Sequence, residues 1–140
     1  LDWKPIFIGG DGFSPSMHEI AGDAMEGSYW VYSMDLGNPQ MLYLLSRYEK
    51  EYGAPAAEPG NVAYAYDLVT WVADAIRRAG TADPKAIRDA MENTQNLRLV
   101  HFTLTVDKAT HNPLNKPAAM MLWKNQLFNF LEMWAPQDKF

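Results

Sequence analysis

From Val62 to Ala79 the chain is almost wholly helix-forming or aromatic, and its apolar residues cover too wide an arc for a helix with one buried side. One stripe runs Val62, Tyr66, Val69, Ala73 and Ile76; a second runs Ala65, Leu68 and Val72. A helix of this kind is expected to pack on more than one side, so the fold must supply neighbours on both. Gly80 stops it, and Asn61 stands before it as the expected cap. Two further helices flank it. Pro39 opens one that carries Met41, Leu44, Leu45, Tyr48 and Tyr52 at helical spacing until Gly53. Asp83-Pro84 starts another, with Ile87, Ala90 and Met91 inward and Asn93-Thr94 at its end.

Extended segments lie on either side of this helical block. Pro5 to Ile8 is apolar without alternation, the pattern of a strand buried on both faces of a parallel sheet. Gly9, Gly10 and Gly12 follow and surround one carboxylate, Asp11. In an open α/β sheet ligands gather at the carboxyl ends of strands, so an acid in a glycine loop there points to a group that meets a cation; a solvated turn is the other reading. Ser14-Pro15, or Ser16 with Glu19, can start a short helix with Met17, Ile20 and Ala21 on one face, ended by Gly22. Glu26 to Ser33 is aromatic and β-branched, as in a strand. After the helices, His101 to Val106 alternates polar and apolar, and Asp107 to Lys116 is a polar turn region. Pro117 to Trp123 and Leu127 to Trp134 read as a hairpin through Lys124-Asn125-Gln126, with Asn125 left-handed. The expected class is α/β, but with too few strands before the helices for a doubly wound sheet. Leu1 follows no initiator Met, and the segment is expected to be the end of something larger.

The chemistry of the residues excludes more than it selects. A net charge of -5 without a basic run, Arg77-Arg78 being the one adjacent basic pair, argues against nucleic acid and anionic membrane surfaces as partners. No apolar run reaches the roughly 18 residues of a membrane helix, and no leader pattern opens the sequence. The absence of cysteine rules out disulfides and thiolate chemistry. His18, His101 and His111 lack metal-ligand spacing and are expected at the surface or in turns. There is no G-x-S-x-G elbow and no phosphate-binding glycine motif. Asp11 with His18 leaves room for a hydrolase acid-base pair as a remote alternative. No cofactor is expected. Tyr29, Trp30, Tyr32, Tyr64, Tyr66 and Trp71 are expected mainly as packing residues.

The order of short motifs adds a resemblance. Lys4 to Phe13, Ile20 to Gly27, Tyr48 to Gly53, Tyr66-Asp67-Leu68, Asp74-Ala75-Ile76 with Ala79-Gly80, Ala86 to Ala90, and Thr110 to Pro113 with Lys116-Pro117-Ala118 resemble the carboxyl-terminal part of the branched-chain amino-acid binding proteins. These are substrate-binding components of ABC importers with the type I periplasmic-binding-protein fold. The resemblance implies two three-layer α/β lobes joined by hinge strands, with an amino acid in the cleft between them. It implies that residues up to about 26 and from 101 to 140 belong to the second lobe and its hinge strands, and that about 35–100 supply first-lobe helices. It places Asp11 against the ligand's ammonium group and Asn61 near the ligand side chain, a helix cap being the other role for Asn61. The groups for the ligand carboxylate would lie outside this chain. The sequence departs from the family pattern at Leu99-Val100-His101-Phe102, where a glycine is usual, and at Lys124-Asn125-Gln126. The implied function is non-enzymatic: an extracytoplasmic, membrane-associated component that passes an amino acid or related amide to a permease. The parent chain would carry a secretion signal. A ligand sensor of the same fold is the alternative. The segment by itself is expected to expose apolar faces and self-associate.

Overall fold

The computed structural model describes residues 5–10, 12 and 17–135. The chain divides into two compact units, one formed by residues 1–35 with 117–140 and the other by residues 36–116.

The first unit is a sheet with one short helix. Its strands are β1 (Ile8–Gly9), β2 (Tyr29–Tyr32), β5 (Ala118–Lys124) and β6 (Leu127–Trp134), in the spatial order β1-β2-β5-β6. β1 runs parallel to β2, and the other pairs are antiparallel. The hairpin turn forms as the sequence predicts: Asn125 and Gln126 both take positive φ, 55° and 62°, the combination a two-residue turn of this twist needs. The Glu26 carboxylate accepts from Asn125 N at 3.0 and 3.2 Å and ties the turn to the start of β2. Burial alternates along β2 and β5, so Trp30 and Tyr32 share a face with Ala119, Met121 and Trp123. That face is the core. Phe128 on β6 joins it, with its ring 4.3 Å from Trp30 and 4.5 Å from Trp123. α1 (Met17–Ala21) passes at Gly22 into a 3-10 turn (Gly22–Met25), which buries Met25.

One expectation fails here. Pro5 to Ile8 is not a strand buried on both faces: only Ile8 enters β1, and Ile6, Phe7 and Ile8 are exposed. Among the described residues β1 has β2 as its one sheet neighbour, and these side chains stay largely open to solvent.

The second unit is built on α2 (Pro39–Tyr52), α3 (Pro59–Ala79) and α4 (Pro84–Glu92), followed by the small hairpin β3 (Leu97–Arg98) and β4 (Thr103–Leu104). Helix punctuation follows the prolines, the glycines and Asp83 predicted for it, and Asn38, read from the sequence only as part of a connection, adds a cap. Asn38 Oδ1 accepts from Gln40 N at 2.9 Å, Asp83 Oδ2 accepts from Ala86 N at 2.9 Å, and a proline fills the first turn in each case. Gly53 and Gly80 close α2 and α3 at φ 74° and 67°, where a β-carbon would be strained. The start of α3 differs from expectation. The helix begins at Pro59 with Glu58 as the flanking residue, and Asn61 lies inside the first turn rather than capping it. Proline at the first helical position carries no N–H to satisfy, so the helix can begin three residues earlier than a cap at Asn61 would allow.

The wide apolar arc of α3 is only partly covered. Gly60, Ala63, Asp67 and Ala75 are buried, whereas Tyr66, Leu68, Val69 and Ile76 are exposed, Val69 at 69%. The strand expected over His101–Val106 is also shorter: β4 holds Thr103 and Leu104, pairs with β3, and is followed by a single bridge between Val106 and Pro113. Leu99, Leu104 and Val106 form a buried cluster with Trp71, Leu97 and Phe102 against it. Thr94 anchors this corner. Its hydroxyl accepts from Trp71 Nε1 and from Arg78 Nη2, each at 2.8 Å.

Candidate functional site

Two places in the sequence were expected to meet a ligand, and each is best described within its own unit. The glycine loop leaves the carboxyl end of β1, as the strand-end rule requires. Among the described residues, nothing stands within 4 Å of where a β-carbon would be at Gly10 or Gly12. Asp11, the expected partner of a cation, lies outside the described residues. Tyr29 N donates to Phe7 O at 2.8 Å, which fixes the strand that delivers the loop. Among the described side chains of this unit, Trp30 Nε1 is buried without a hydrogen-bond partner. His18, the other half of the acid-base alternative, lies with its ring 5.3 Å from that of Trp123.

In the second unit Asn61 is exposed in the first turn of α3, its N–H donating to Glu58 O at 3.1 Å. Its side chain is not used as a cap, since the helix starts before it. The cap reading of Asn61 therefore falls away.

Two turns further along α3 is a constellation the sequence did not reveal. Asp67 is buried, and its Oδ1 accepts from Val100 N at 2.8 Å. Its Oδ2 lies 2.6 Å from His101 Nδ1, with the two side chains 6% and 3% exposed. The contact is short but does not meet the geometry of a hydrogen bond. Tyr64 meets the imidazole edge-on at 5.8 Å, Phe102 lies 4.7 Å away, and Lys116 Nζ stands 5.6 Å over Tyr64 and 5.9 Å over Phe102. His101 is thus a packed, paired residue and not the surface or turn histidine expected. The one signal in the sequence was the departure from the resembled pattern at Leu99-Val100-His101-Phe102. No group of three or more potential metal ligands gathers among the described residues, and this pair lacks the third acid or histidine a zinc site needs.

Comparison with known proteins gives these features a setting. The family described as Periplasmic binding protein matches residues 2–126. Among curated proteins, a Leu/Ile/Val-binding protein homolog 2 of Brucella abortus is 30% identical over 123 residues, which is 86% of this chain and 32% of the relative. A Leu/Ile/Val-binding protein homolog 1 of Brucella suis is 31% identical over 107 residues, 75% of this chain and 28% of the relative. Among solved structures, a leucine binding protein LivK from Thermotoga maritima superposes with a TM-score of 0.80 at 25% identity, over 98% of this chain and 39% of that one. A branched chain amino acid ABC transporter protein from Thermus thermophilus, solved with bound valine, superposes with a TM-score of 0.70 at 18% identity, over 96% of this chain and 40% of its own, and supports the fold. The chain spans about a third of the length of the curated relatives it matches.

Proposed function

Because the chain belongs to the periplasmic-binding-protein family, with the match running over residues 2–126, we propose that it forms part of a substrate-binding protein of an ABC importer for branched-chain or related amino acids. The observation that carries this is the agreement of the family match with Leu/Ile/Val-binding relatives aligned over most of the chain. The type I α/β fold accounts for the strand deficit, since the relatives are about three times longer and have room for the remaining strands.

In this reading the whole protein holds the amino acid between two lobes and works by closure, without chemistry on the ligand. The lobe division is the one the family resemblance implies, with residues 1–26 and 101–140 in the second lobe and 35–100 in the first. Within this chain, residues 101–116 group with the helices. Asp11 is the proposed partner of the ligand ammonium, supported by its place in a glycine loop after β1. An ion pair there, in a cleft largely closed to water, is stronger than one at the surface and fixes the ligand's orientation. Asn61 is proposed beside the ligand side chain, supported by its exposure and its release from capping. The protein would act outside the cytoplasm, near the membrane, and deliver its ligand to a permease. Among the described residues no helix is long and apolar enough to cross a membrane itself. The 140-residue chain alone, with Ile6, Phe7, Leu68 and Val69 exposed, is proposed to self-associate.

Calorimetry on the full-length protein tests the reading. Leucine, isoleucine or valine should bind without turnover, Asp11→Ala should abolish binding, and Asn61→Ala should change the order of preference. Unchanged affinity in Asp11→Ala would sink the assigned role, and hydrolysis of a titrated amide would revive the acid-base alternative. Binding with no response to the permease would favour a ligand sensor.

A further inference from the structure

We draw no further inference here: the strongest candidate, the exposed apolar stripe of Tyr66, Val69 and Ile76 along α3, is a helix face for which nothing among the described residues shows what covers it.

Discussion

Replacing Asp67 by alanine removes the group that ties the middle of α3 to the turn between β3 and β4. Asp67 Oδ1 is the acceptor for Val100 N at 2.8 Å, and Oδ2 is the partner of His101 at 2.6 Å, both in the interior. Alanine leaves the Val100 N–H buried without an acceptor, a loss of about 1–3 kcal/mol, and strands a polar ring that is already without a partner at Nε2. The variant should therefore lose at least about 1–3 kcal/mol, a large share of what a domain of this size has to spare. Asp67→Asn keeps an oxygen for Val100 and should lose less, about 1–2 kcal/mol. Urea unfolding followed by far-UV circular dichroism reads the midpoint, and a cycle with His101→Ala isolates the pair. In that cycle the double variant should lose less than the sum of the singles. A loss below about 1 kcal/mol in Asp67→Ala, or strict additivity with His101→Ala, would refute the argument that this node holds the turn.

Other perturbations follow from local geometry and are checked in the same unfolding assay. Asp83→Ala removes the acceptor for Ala86 N and should cost about 1 kcal/mol, with α4 fraying first in amide exchange. Gln126→Gly relieves a side chain held at φ 62° and should stabilise the β5–β6 hairpin by about 1 kcal/mol. Gly80→Ala should destabilise by about 1–2 kcal/mol because of its φ of 67°, although space for the methyl group is open. Thr94→Val takes the shared acceptor from Trp71 and Arg78 and should lower stability by about 1–3 kcal/mol; a red-shifted Trp71 emission would report the opened corner.

The sequence by itself determined the punctuation of this protein. Pro39, Gly53, Gly80, Asp83, Pro84 and Asn125 act through their own backbone and nearest neighbours, so their roles were legible and the helices and the hairpin stand where those residues put them. The order of motifs was legible for the same reason, since the family match rests on residue identities in sequence. Asn61 shows the limit of local reading: two caps were open to the same helix, and the proline two residues earlier won. Tertiary structure alone decided what depends on partners far along the chain. Asp67 and His101 are 34 positions apart, and nothing in either neighbourhood announces that a helix and a turn will press them together. Arg98 and Arg78 look alike as letters. Only packing gives Arg78 three acceptors and leaves Arg98 none among the described residues, because an ion pair is a property of distance in space and not of position in sequence. The apolar runs at Pro5–Ile8 and along α3 make the same point in reverse: their composition asks for burial, and whether they receive it depends on what packs against them.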